Sequence, residues 1–155
     1  MPGFYRLTRW PAVKGERWNF EMNFQLYLAI AAGGALGTVG RYFLSGVVAN
    51  AFGETFPWGT LIINVTGSFV IGLFAALTGP DGRYLVSSTM RQFVMIGLCG
   101  GYTTFSSFSL QTLNLMRDGE WLSVGGNIVG SVVLCLLFVW LGAMLAGEIN
   151  QLKGA

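Results

Sequence analysis

The sequence contains no histidine. That excludes imidazole as a general base, as a proton shuttle and as a metal ligand. Charge is scarce as well: nine Lys and Arg and seven Asp and Glu make up 10% of 155 residues, against about 25% in a soluble domain. The net charge of +2 is small and dispersed, so there is no basis for a nucleic-acid partner. Cysteine is confined to Cys99 and Cys135. Both sit in apolar segments without metal or redox spacing, and they read as packing residues. No phosphate-binding glycine loop and no catalytic dyad is present. Asn64-Val65-Thr66 matches a glycosylation sequon but falls inside an apolar run, so it is discounted.

Apolar residues make up 53% of the chain, and the mean hydropathy is +0.58. No charged residue occurs between Glu21 and Arg41, Glu54 and Asp81, Arg91 and Arg117, or Glu120 and Glu148. Each gap is close to or above the roughly 20 apolar residues that cross a bilayer core. The pattern predicts an all-α integral membrane protein with four transmembrane helices, at about 24–48, 58–77, 91–116 and 121–145. The third is expected to be interrupted, because Gly97-Leu98-Cys99-Gly100-Gly101-Tyr102-Thr103-Thr104 is poor helix material.

Residues 24–155 are expected to form the four-helix transmembrane domain, and residues 1–23 an N-terminal extension, flexible or interfacial. Arg6, Arg9, Lys14 and Arg17 make the extension basic, and Trp10, Trp18 and Phe20 suit a membrane interface. Two other readings of it stay open: a signal peptide, although no convincing cleavage site follows, and a start at Met22. Four spans put both termini and the 78–91 loop on one side, with Arg83, Arg91 and Lys153, against Arg41 and Arg117 on the other. Apart from the extension, this is hardly an orientation bias.

Polar residues inside the spans fall in stripes. Thr60, Asn64, Ser68 and Gly72 are spaced by four, as are Ser123, Asn127, Ser131 and Cys135, and Gly33, Gly37 and Arg41. Helix packing explains the glycines; it explains Asn64 and Asn127 less well. Arg41 is the only charge well inside an apolar stretch, either snorkelling to the interface or standing at a water-filled vestibule where it concentrates anions. No acidic residue in the spans neutralises it, which favours an anion pathway and argues against proton coupling.

At an interruption in the third span, released carbonyls suit a cation, and the amides opening the next half-helix suit an anion. Thr103, Thr104, Ser106, Ser107 and Ser109 are interleaved there with Phe105 and Phe108, which share one helix face. Aromatic ring edges are electropositive, so the two rings either pack or offer their edges to a small anion.

The blocks Gly33-Gly34-Ala35-Leu36-Gly37 to Arg41-Tyr42, Gly59-Thr60-Leu61 with Asn64 and Gly67-Ser68-Phe69, Gly97 to Phe108, and Asn127 to Ser131 occur in order. On these residues, from about 26 to 146, the chain resembles the CrcB/Fluc family of fluoride channels; the TTFSSF core of the third block is the most specific part. The resemblance implies an antiparallel dual-topology homodimer in the lipid bilayer, with two fluoride pores and a central structural sodium ion. By motif position it implies Phe105 and Phe108 as pore phenylalanines and Asn64 as the pore asparagine. Thr104, Ser106, Ser107 and Ser131 would belong to a polar track, and Arg41 to the vestibule. Gly100 and Thr103 would give the backbone carbonyls that hold sodium. Many relatives carry glutamate where this chain has Gln111, so a carboxylate role there does not transfer.

The expected function is passive, fluoride-selective export in the bacterial plasma membrane, giving fluoride resistance, and not enzymatic. The alternatives are a small dual-topology multidrug exporter, which needs a membrane carboxylate that these spans lack, and a membrane scaffold protein.

Overall fold

A computed structural model describes residues 24–80 and 82–151. The N-terminal extension, Asp81 and Lys153 lie outside the described residues. Among the described residues the secondary structure is entirely helical: α1 (Phe24–Phe52), α2 (Trp58–Leu77), α3 (Ser88–Gln92), a π-helical segment (Phe93–Cys99), α4 (Gly100–Tyr102), α5 (Phe105–Arg117) and α6 (Trp121–Gln151). The elements from α3 to α5 run as one line, so the chain forms four helical passes.

Local chemistry sets the ends of these passes. Gly53 closes α1 in the left-handed region (φ 75°) and donates its N–H to the Ala49 carbonyl at 2.9 Å, the glycine stop of a helix C-terminus. Pro57 precedes α2. At the far end of α2, Thr78 Oγ1 donates to the Phe74 carbonyl at 2.7 Å. The Arg91 guanidinium donates to the Thr78 carbonyl and to Thr78 Oγ1, placing a cation at the negative end of α2. Ser87 caps α3, its Oγ accepting from the Met90 N–H at 3.2 Å. Arg83 and Asn150 tie the 78–87 loop to the end of α6: the Arg83 N–H reaches Asn150 Oδ1 at 2.8 Å, and Asn150 Nδ2 reaches the Ala76 carbonyl at 3.3 Å.

Two seams hold the passes together. α2 lies lengthwise against α6, and α1 lies against the π-helical segment and α4. Glycine makes both seams possible. A methyl group on Gly72 would overlap the Val139 carbonyl, and one on Gly142 would overlap the Phe69 carbonyl. In the other seam Gly33 and Gly37 face Gly97 and Gly101, a small-xxx-small pair on each helix, and a methyl on any of the four would meet backbone. Ile63 and Ala146 are fully buried between the passes, while leucines, valines and tryptophans of α1 and α6 face outward, as lipid-facing helices do.

Three passes, Trp58–Leu77, Ser88–Arg117 and Trp121–Gln151, are long and apolar enough to cross a membrane. α1 is not among them by composition, because its glycines and Arg41 dilute its hydropathy. Its 29 residues nevertheless reach about 43 Å, more than a hydrocarbon core.

The helices also differ from sequence expectation at their ends, α1 and α6 extending past 48 and 145 to Phe52 and Gln151. The larger difference is in the third pass. Gly97, Gly100 and Gly101, expected to disrupt the helix, are helical. The role of Gly97 and Gly101 is close approach to α1, which packing rewards and intrinsic propensity does not register.

Substituting Gly37 by Ala drives a methyl into the Leu98 carbonyl and should destabilise the protein by about 3 kcal/mol. Gly46→Ala, where the added methyl meets nothing within 4 Å, should be neutral or slightly stabilising. Thermal unfolding of the two variants in detergent, each measured against wild type, checks the contrast.

Candidate functional site

Thr103 (φ −80°, ψ 158°) and Thr104 (φ −152°, ψ 115°) are extended, between a helical turn that ends at Tyr102 and one that begins at Phe105. Two extended residues cannot sustain the i→i−4 ladder, and at membrane depth the released groups need partners from the protein. Asn64 on α2 supplies them for Thr104. Asn64 Nδ2 donates to the Thr104 carbonyl at 3.0 Å, and Asn64 Oδ1 accepts from the Thr104 N–H at 2.8 Å. A carboxamide carries one donor and one acceptor at peptide spacing, so this side chain substitutes for a neighbouring strand. Among the described residues one Nδ2 hydrogen of Asn64 remains uncommitted.

The carbonyls around the extended pair divide into two groups. That of Cys99 accepts from the Thr103 N–H and from Thr103 Oγ1, each at 2.9 Å. That of Gly101 accepts from Thr38 Oγ1 at 3.4 Å. The Thr104 N–H, which a continuous helix would aim at the Gly100 carbonyl, is taken by Asn64. The carbonyls of Gly100, Tyr102 and Thr103 therefore receive no donor from the described chain. The Tyr102 side chain is anchored separately, its hydroxyl 2.9 Å from Thr66 Oγ1.

Thr104 then caps α5. Its Oγ1 accepts from the Ser107 N–H at 3.1 Å, donates to Ser107 Oγ at 3.1 Å and lies 3.2 Å from Ser106 Oγ. The three hydroxyls form one cluster at the helix N-terminus, where backbone amides give a positive potential. Phe105 and Phe108 follow on one face of α5, ring centroids 5.3 Å apart and planes tilted by 43°.

A half-open cleft of about 330 Å³ brings most of these groups together. Asn64, Gly100, Thr103, Thr104, Phe105, Phe108 and Ser131 line it, and no carboxylate does. Ser106 and Ser107 are outside the lining but bonded to Thr104. Arg41 is half-buried on α1 and is not brought to the cleft. Phe105 is 78% exposed in the single chain.

Other features were not legible from the residues alone. Cys99 and Cys135 line the cleft rather than merely packing. Fully buried Asn127 donates from Nδ2 to Thr112 Oγ1 at 2.8 Å. Gln111 Oε1 is buried without a partner among the described residues. The step-of-four stripes marked Asn64 and Asn127, but no spacing rule names a partner 40 residues away or across a turn.

The family model described as "CrcB-like protein, Camphor Resistance (CrcB)" matches residues 28–143. The chain belongs to the CrcB-like family. It is 67% identical over 130 residues to the fluoride-specific ion channel FluC of Opitutus terrae, covering 84% of this chain and 98% of the relative. Identity to the FluC of Methylocella silvestris is 62% over 129 residues, covering 83% and 98%. With the FluC of Rhodospirillum rubrum it is 61% over 125 residues, covering 81% and 97%. With bacterial CrcB-like relatives of this kind and several membrane-capable helices, the chain is a multi-pass bacterial membrane protein.

Asn64→Leu leaves two buried main-chain groups of Thr104 unpaired and should cost about 2 kcal/mol or more. Asn64→Asp, which sets a carboxylate against the Thr104 carbonyl at membrane depth, should cost at least as much. Ser68→Ala, one turn along α2, should be near neutral. Denaturation of the three variants in detergent checks this order.

Proposed function

We propose that the chain is a fluoride-selective passive channel, two antiparallel copies forming a dimer with two pores and a structural sodium ion between them. The observation that carries the reading is the composition of the cleft. Two phenylalanines, a carboxamide and hydroxyls converge in it, and no carboxylate is among them. The relatives' printed names, each a fluoride-specific ion channel, give the same direction and a non-enzymatic class.

Fluoride is small and strongly hydrated, so a selective path must replace its water with close donors. The remaining Nδ2 hydrogen of Asn64 and the ring edges of Phe105 and Phe108 are such donors, and the hydroxyls of Thr104 and Ser131 join them by rotating away from Ser107 Oγ and Asn127 Oδ1. Ser106 and Ser107, bonded to Thr104, extend the hydroxyl track along α5. Arg41 serves at the vestibule, raising the local anion concentration without binding tightly. Conduction is passive because the apolar stretches of the passes hold no acidic residue to couple a proton, Glu148 standing in the last turn of α6. Hydrogen fluoride enters a cell neutral and ionises inside, and a leak for the anion lets it out down the membrane potential.

A second copy is part of the reading. The cleft is open on the single chain, and the exposed ring of Phe105 needs cover. The four helical passes carry little orientation bias of their own, which suits antiparallel pairing. For sodium, the ligand set fits: among the described residues no donor reaches the carbonyls of Gly100 and Thr103, and Gly100 is exposed. Bound there with the same carbonyls of the second copy, the ion would supply a fixed positive charge that offsets their dipoles and joins the copies.

Fluoride efflux from liposomes holding the purified protein tests the reading, with chloride as control. Fluoride should leave fast and chloride slowly; equal rates would remove the selectivity claim. Phe108→Ile should cut fluoride flux about tenfold or more without dissociating the dimer. Ser131→Asp should block flux by placing a negative charge beside the anion, and unaltered transport would put Ser131 off the path.

A further inference from the structure

α5 is the least embedded part of the third pass. Only Thr112 and Leu115 are buried along its 13 residues. Within the single chain the rings of Phe105 and Phe108 therefore ride on a helix with little apolar packing of its own. What ties it to the rest of the chain is a short polar relay from α6. Asn127 Nδ2 donates to Thr112 Oγ1 at 2.8 Å, and Thr112 Oγ1 donates to the Phe108 carbonyl at 2.7 Å. On its other side Asn127 Oδ1 accepts from Ser131 Oγ over a long 3.5 Å. Asn127 is 1% exposed and does not line the cleft, whereas Phe108 and Ser131, the two residues it connects, both do.

We infer that Asn127 is a positioning residue, which acts through Thr112 to set the spacing between the Phe108 ring and the Ser131 hydroxyl across the cleft. The inference rests on the proposed fluoride path but assigns a role to residues outside it. A hydroxyl that donates to the carbonyl one turn back bends or tightens that turn of helix. Here the same hydroxyl also accepts from α6, so the turn carrying Phe108 is bound at a fixed place relative to Ser131. An anion that gives up its water tolerates little slack between its donors, so a loosened spacing favours the larger, more weakly hydrated halide.

The test is fluoride and chloride efflux from liposomes with five proteins: wild type, Thr112→Val, Thr112→Ser, Asn127→Ala and the Thr112→Val/Asn127→Ala double variant. Valine nearly preserves the volume of threonine and removes only the hydroxyl. Fluoride flux in Thr112→Val and Asn127→Ala should fall by about three- to tenfold, the range of one hydrogen bond, and the fluoride-to-chloride ratio should fall with it. Thr112→Ser, which restores the hydroxyl, should recover both. The Thr112→Val/Asn127→Ala double variant should be no worse than the worse single one, because both cut the same relay. Wild-type rate and selectivity in Thr112→Val would overturn the inference. So would a loss of rate in Thr112→Val with unchanged selectivity and no recovery in Thr112→Ser, which marks a folding defect. If the wild type itself passes no fluoride, the proposed function fails instead.

Discussion

Hydrocarbon offers no hydrogen bonds, and the whole site follows from how this chain meets that constraint at Thr103 and Thr104. Two residues leave the helix at membrane depth, and the cost falls on their main-chain groups. Asn64 takes both groups of Thr104, Thr103 folds its own hydroxyl back onto Cys99, and Thr38 reaches Gly101 from α1. The carbonyls left over, those of Gly100, Tyr102 and Thr103, receive no donor from the described residues. Satisfaction and vacancy come from the same few bonds, since Asn64 relieves Thr104 by withdrawing the donor that Gly100 would have had.

The glycines make this arrangement reachable. Gly33, Gly37, Gly97 and Gly101 let α1 and the third pass approach backbone to backbone, which brings Thr38 within reach of Gly101. Gly67 clears space for Tyr102 and Thr103 on the α2 side. Gly72 and Gly142 then lock α2 to α6, so Asn64 and Ser131 face the same cleft from different helices. Close packing in a membrane depends on small residues because lipid tails compete equally well for large ones.

Much of this was visible in the amino-acid order. The charge-free runs gave the passes, and the run Thr103 to Ser107 with Phe105 and Phe108 located the hydroxyls and rings that meet at the cleft. Geometry that depends on partners was not visible. Gly97, Gly100 and Gly101 read locally as helix breakers, yet all three are helical, and Gly97 and Gly101 pack against another glycine-bearing helix. Asn64 was legible as a polar residue on a striped face, but its pairing with a main chain 40 positions away was not. Thr112 and Asn127 were overlooked as a pair for a related reason. Asn127 stood out on a striped face but Thr112 did not, and their meeting depends on how the turn at Gly119 (φ 77°) folds α6 back along α5.

The π-helical winding of Phe93–Cys99 has a consequence for the chain beyond it. A wider turn holds more residues for the same rotation, so these seven shift the angular phase of everything downstream. Each residue of an ordinary helix advances that phase by about 100°. Deleting a single residue here, harmless in a loop, would turn the aromatic pair of α5 to a different compass bearing around the pass, with every other side chain unchanged.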